Sequence, residues 1–244
     1  MRNLLLEISY NGMNYHGWQV QQNAVTVQEK LQDAIESVFG KREDVKGCSR
    51  TDSGVHANMF CCNFKTEKNI TVSKIPEALN ANLPSDISVK SCKEMPLDFH
   101  ARYDCKGKEY VYRIWNAQVR NPFADKLSYH YKYDLDAEML SLEAKAFIGK
   151  HDFSAFCAAG SSVEDKVREI YSFDVIRQGE EVFFRVSGNG FLYNMVRIMV
   201  GTLLDISSGK IEKGTIGEII ESEDRNRAGF TVPASGLYLN SVYY

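Results

Sequence analysis

Residues 3–10 alternate, with Leu4, Leu6, Ile8 and Tyr10 on one face and Leu5, Glu7 and Ser9 on the other. A period of two over that length predicts a half-buried strand, and the Asn11-Gly12 pair closes it with a turn. The period then becomes helical. Val27, Leu31, Ala34, Ile35 and Val38 form one apolar stripe, opened by Thr26 and Glu29 at capping-box spacing. Strands are expected over 44–48 and, after a polar turn, where Phe60, Cys62 and Phe64 share a face. A short helix over 73–80, broken by Asn80-Ala81-Asn82-Leu83-Pro84, and a strand over 87–94 follow. Strand, helix, strand, strand, helix, strand is the ferredoxin-like order, one sheet with helices on one face. It defines an N-terminal half, residues 1–104.

The second half, residues 105–244, opens on the clearest strand of the chain, 108–116, with Tyr110, Tyr112 and Ile114 on one face and Val111, Arg113 and Trp115 on the other. An irregular connection over 121–133 carries alternating Tyr129, Tyr131 and Tyr133. A helix is expected over 136–147 with Met139, Leu142 and Ala146 inward and Gly149 beyond its end. After a polar loop at 160–165, strands over 167–178 and 181–188 should pair as a hairpin around Gly179. Gly188-Asn189-Gly190 turns the chain toward an apolar helix over 198–206, Thr215 with Glu218 predicts a capped helix ending at Ser222, and residues 237–243 form a closing strand. Both halves are α+β and of similar order.

Composition agrees with a compact globular protein: 44% of the 244 residues are hydrophobic, 25% are charged, and only 5 are proline. Met1-Arg2-Asn3 leads into a strand and not into a signal-peptide core, and no run approaches the roughly 18 apolar residues of a membrane helix, so a soluble, cytoplasmic protein is expected. Cys48, Cys61, Cys62, Cys92, Cys105 and Cys157 include no Cys-x-x-Cys pair, and the five histidines lack ligand spacing. Reduced thiols and no metal are predicted. A net charge of −3 neither supports nor excludes a nucleic-acid partner, because phosphate binding needs only a local cluster of cations.

The candidate chemistry lies in Cys48-Ser49-Arg50-Thr51-Asp52-Ser53-Gly54-Val55-His56-Ala57. A basic residue, a hydroxyl and a carboxylate follow one another where an apolar strand ends, and paired strands on either side would present Asp52 on a stiff support. An Arg-Thr-Asp triplet alone is ordinarily a solvated turn with an Asx-type bond. Arg197 falls early in an apolar run, where a cation needs an anionic partner. The loop 13–22, rich in aromatic and amide groups, reads equally as a base-stacking loop and as a packed surface loop.

Taken together, the strings identify a resemblance. Arg50-Thr51-Asp52-Ser53-Gly54-Val55-His56-Ala57 resembles the Arg-Thr-Asp-x-Gly-Val-His signature of the tRNA pseudouridine synthase A family. Tyr15-His16-Gly17-Trp18-Gln19, Phe99-His100-Ala101-Arg102, the Tyr-x-Tyr string at Tyr110, Met195-Val196-Arg197 and Pro233-Ala234-Ser235-Gly236-Leu237 match further family strings in order. The resemblance implies that Asp52 is the essential catalytic carboxylate and that Arg197 stands beside it and holds it ionised. It further implies that Tyr110 is the active-site tyrosine and stacks on the uracil, and that Leu237 lies beneath the base. Arg50 would hold a phosphate or fill the space of the displaced base. His100 and Arg102 are open between phosphate binding and a structural pair. Ser49 stands where many members carry glycine, which bears on target choice and not on the reaction.

The implied fold is two ferredoxin-like halves joined in one continuous, mostly antiparallel sheet with covering helices and a cleft between the halves. The implied reaction converts uridine to pseudouridine in the anticodon stem-loop of tRNA, at positions 38, 39 and 40, with no cofactor and in a homodimer. A catalytically silent RNA-binding module would need neither Asp52, which repels phosphate, nor Arg197. A metal-dependent nuclease would need clustered carboxylates, and none accompanies Asp52.

Overall fold

The computed structural model describes residues 1–161 and 163–244; Ser162, within the loop expected at 160–165, lies outside the described residues. In chain order the elements are β1 (Arg2–Tyr10), α1 (Val27–Phe39), β2 (Lys46–Gly47), β3 (His56–Thr66), α2 (Ile75–Asn80), β4 (Ile87–Met95), β5 (Gly107–Trp115), β6 (Tyr129–His130), α3 (Ala137–Ala144), β7 (Gly149–Asp152), β8 (Val167–Gln178), β9 (Glu181–Gly188), α4 (Met195–Ser207), α5 (Ile216–Ser222) and β10 (Leu237–Tyr243). They form two compact units, Met1–Lys106 with Tyr238–Tyr244, and Gly107–Leu237. Each is a mixed α+β unit with a mostly antiparallel sheet. Among the described residues no helix is long and apolar enough to cross a membrane.

In the first unit β1 lies between β4 and β3, with β2 and β10 also pairing β3, β10 in parallel. The alternation read from the sequence is met by register: Leu4, Leu6 and Ile8 stand opposite Phe64, Cys62 and Phe60, and all six are buried. On the other face of β3 Cys61 and Asn63 are buried too. Asn63 there donates to Asn3 Oδ1 at 2.8 Å and accepts from the Ala101 amide at 2.9 Å, while Asn3 donates to the carbonyls of Pro96 and Phe99. A buried amide pair is stable only when so satisfied. This network gives Phe99 and Ala101 of the Phe99–Arg102 string a structural role. Phe99 and Ala101 close the sheet, the Tyr244 hydroxyl donates to the Ala101 carbonyl, and Arg102 stays exposed.

The capping box forms as expected, Thr26 accepting from the Glu29 amide and Glu29 from the Thr26 amide, a device worth about 1 kcal/mol. The stripe of α1 ends differently. Phe39 is buried where Val38 was expected, because the i, i+4 row from Val27 through Leu31 and Ile35 continues to Phe39, whose ring meets Phe64 edge-on at 5.2 Å.

All six cysteines are free thiols. Burial, with the charge of Glu7 adding, pushes the Cys61 thiol up to about 12, and burial pushes Cys92 to about 11. At pH 8 the reactive thiolate is therefore scarce at both. Iodoacetamide labelling followed by peptide mass spectrometry should find Cys92 modified roughly 100-fold more slowly in the folded protein than in urea. Equal rates would mean that this side of the sheet is open.

In the second unit β5, β9, β8 and β7 run antiparallel in that order, and β6 adds to β5 in parallel. The β8–β9 hairpin turns through Gly179 and Glu180, between Gln178 and Glu181. Gly179 has φ +61, the conformation glycine supplies at the first position of such a two-residue turn. Helix α3 buries Leu140 and Ala144, followed by Phe147, not Met139, Leu142 and Ala146; Leu142 is 74% exposed. The i, i+4, i+7 row through Leu140 carries the larger inward side chains. Helix α5 lacks its expected cap, since the Thr215 hydroxyl donates to the Glu212 carbonyl. Eleven of the thirteen residues of α4 are buried, so it forms the core of this unit.

Candidate active site

The loop bearing Arg50 and Asp52 is held by bonds from Tyr10, the last residue of β1, and from the segment that follows it. The Tyr10 and Thr51 hydroxyls are 2.7 Å apart in a buried position, the Trp18 amide donates to the Thr51 carbonyl, and the Gly54 amide donates to the Tyr15 carbonyl. Within the loop the Val55 amide donates to the Asp52 carbonyl, and Gly54 takes φ +77. Next along, His56 Nδ1 accepts from the Gly12 amide at 3.1 Å and its ring stacks on Tyr238 at 4.6 Å. Thr51 is buried, Asp52 half-buried and Arg50 exposed. The backbone is fixed on both sides while the carboxylate keeps partial access to solvent.

Close backbone approach explains the one glycine of the loop 13–22. A Cβ on Gly17, which has φ +82, would stand 2.4 Å from the Thr51 carbonyl oxygen. Trp18 is 3% exposed, stacked on Phe60 at 4.1 Å, and Tyr15 is buried with its hydroxyl bonded to Asp86. Of the two readings of this loop, packing holds for Tyr15 and Trp18: they buttress the Asp52 loop. Gly17→Ala should therefore cost about 2 kcal/mol, from backbone strain and overpacking together. Urea unfolding measures it, and an unchanged midpoint would show that the loop yields freely.

In the second unit Tyr110 lies in β5 opposite Val186, 7% exposed, with the Phe191 ring edge-on at 5.1 Å. The turn carrying Phe191 is pinned to β8 by reciprocal bonds: Asn189 donates from its amide to the Glu169 carbonyl and accepts from the Glu169 amide. Arg197, in the first turn of α4, donates from Nε to the Val232 carbonyl and from Nη1 to Asn194 Oδ1, both at 2.7 Å. Its own carbonyl accepts from the Val232 amide. These partners are neutral oxygens. They orient the guanidinium without neutralising it.

Asn194 has a left-handed backbone, φ 59 and ψ 8, and caps α4 without a side-chain capping bond. An asparagine at this position ordinarily spends its oxygen on the helix amides; here the oxygen goes to Arg197. The Tyr112 hydroxyl donates to the Pro233 carbonyl at 2.7 Å, and burial holds it well above the usual phenol range, the Arg197 charge opposing. A Cβ on Gly236 would meet the Tyr112 ring at 2.6 Å. Residues 232–236 are thus tied to Arg197 and Tyr112, which fixes the approach to buried Leu237. Asn194 and Tyr112 were not among the residues singled out from the sequence. The signal for Asn194 was its place three residues before Arg197, one helical turn away.

Among the described residues no group of three or more His, Cys, Asp or Glu side chains could hold a metal ion. A family model described as tRNA pseudouridine synthase matches residues 8–104 and 144–244. Two relatives named tRNA pseudouridine synthase A, from Acetivibrio thermocellus and Clostridium acetobutylicum, are 48% and 45% identical over 244 residues, covering 100% of this chain and of each relative. Among solved structures, a crystal structure of a Cbf5-Nop10-Gar1 complex aligns with 80% of this chain and 52% of its own at 15% identity and TM-score 0.36, a likeness too slight to carry weight. The family model and the full-length matches agree: this chain belongs to the tRNA pseudouridine synthase family and is an isomerase acting on uridine in tRNA.

Proposed function

We propose that the synthase acts on uridines in the 3′ arm of the tRNA anticodon stem-loop and that Asp52 is its reacting carboxylate. The observation that supports this most is the stiff mounting of the half-buried Asp52 loop on Tyr10, Tyr15 and Trp18. The reaction breaks the N1–C1′ bond, turns the base and forms a C5–C1′ bond. C5 loses a proton and N1 gains one, so product and substrate are isomers and no redox partner enters the balance.

An ionised Asp52 serves as nucleophile toward the nucleoside or as base toward the C2′ proton. Arg197 favours its charged form and aims it. Tyr110 stacks on the uracil, a contact worth roughly 1–3 kcal/mol, Leu237 closes the slot beneath the base, and Arg50 reaches the phosphate or the space the base vacates. The target nucleotide must leave its stack for these groups to reach it. The enzyme works in the cytoplasm as a homodimer.

The test is pseudouridine mapping on an unmodified tRNA transcript incubated with the native protein in chelator. Product in the 3′ arm of the anticodon stem-loop is expected, and product confined to another arm would overturn the target. Size-exclusion chromatography with light scattering should give twice the 27.7 kDa chain mass; the single-chain mass would overturn the dimer.

A further inference from the structure

A shallow hollow of about 500 Å³, open to solvent, lies in the second unit between residues 158–159 and 225–231, with room for one nucleotide laid against the surface. Its room comes from missing side chains, since Ala158, Ala159, Ala228 and Gly229 face it. Phe230, 39% exposed, supplies a ring, with the Lys210 ammonium 6.0 Å from its centroid, and Asn226 supplies an exposed side-chain amide.

The walls are preformed. Arg225 donates to the carbonyls of Ala228 and Gly229 and to the Thr231 hydroxyl. The Gly229 amide is held by Thr202 and the Phe230 amide by Asp205, both on α4. A Cβ on Gly201 would lie 1.8 Å from the Phe230 carbonyl oxygen, so this segment rests directly on the helix backbone. Because the Arg225 guanidinium braces the wall, the hollow presents Phe230 and the exposed Asn226 side chain, whose Nδ2 also donates to Asp224 Oδ1, more than a cation. That chemistry suits the flat face and polar edge of a nucleobase better than a phosphate.

Both walls lead to the brackets of Arg197. The Ala158 amide donates to the carbonyl of Tyr193, the neighbour of Asn194, and Thr231 is the neighbour of Val232. We propose that the hollow takes an unpaired nucleotide of the RNA substrate, adjacent to the uridine that reacts, with its base against Phe230. This rests on the reading that places Arg197 at the reaction.

Steady-state pseudouridine formation separates binding from chemistry. Phe230→Ala should raise KM for tRNA about tenfold with kcat within about twofold, and Phe230→Tyr should restore KM. Ala159→Trp, at an exposed position, fills the hollow without removing a packed ring and should raise KM similarly. KM within about twofold of native for both Phe230→Ala and Ala159→Trp would overturn the proposal. Should the native protein form no pseudouridine, the reading of Arg197 falls, and filter retention of tRNA by the same variants then decides the hollow alone. A tenfold loss of affinity supports it, and an unchanged affinity overturns it.

Discussion

Asp52→Asn should lower pseudouridine formation by about 10⁴-fold or more while leaving tRNA affinity within about threefold of native. The substitution keeps the shape of the side chain and removes its charge. The bonds that mount the loop run through the Thr51, Asp52 and Tyr15 carbonyls and the Tyr10–Thr51 hydroxyl pair, none of which needs the carboxylate. The fold should therefore survive, and a thermal midpoint close to native checks that it does. Neither proposed role of Asp52 survives, because an amide is neither a useful nucleophile toward a sugar nor a base. Binding should persist, since a carboxylate near RNA repels phosphate and its loss removes a repulsion. Single-turnover assays at saturating enzyme give the rate, and retained product formation by Asp52→Asn would move the catalytic role to another group.

How much of this was legible in the sequence depends on how local the cause was. The β1 alternation and the Thr26–Glu29 box were readable because a strand face and a helix cap are set within a few residues. The string from Arg50 to His56 was readable as a turn because charged groups interrupt an apolar run, and its reading as a site rests on the resemblance. The orientation of a helix is a different matter. On α3, Met139, Leu142 and Ala146 form as regular a row as Leu140, Ala144 and Phe147, and which row faces in is decided by what lies opposite. The same holds for Thr215, which has the residue type of a cap but whose hydroxyl is taken by Glu212. Tyr15 and Trp18 looked equally suited to stacking on bases and to packing, and only the close passage of Gly17 against Thr51 shows why they are buried. Nothing local reveals that Val232, thirty-five residues on, carries the oxygen that aims Arg197.

Arg197→Lys should reduce kcat by roughly 10²- to 10³-fold, the cost typical of losing one preorganised charged donor, with KM for tRNA changed little. The two side chains carry the same charge, so a long-range role would survive the exchange. Geometry does not. The guanidinium reaches the Val232 carbonyl from Nε and Asn194 Oδ1 from Nη1 at once, whereas a lysine offers one nitrogen at the end of a flexible stem. Whichever oxygen it meets, the other loses its partner and the cation loses its aim. Asn194→Gly tests the same bracket from the other side. Glycine accepts the left-handed backbone at φ 59 more readily than asparagine does, so the start of α4 should hold and the melting temperature should stay near native. Only the oxygen that orients Nη1 is removed, and kcat should fall about tenfold, the worth of a hydrogen bond to a charged group. A purely structural Arg197 would behave in the opposite way. Arg197→Lys would then lower the melting temperature through the unpaired Val232 carbonyl, kcat of the folded fraction would stay native, and Asn194→Gly would be silent in the assay.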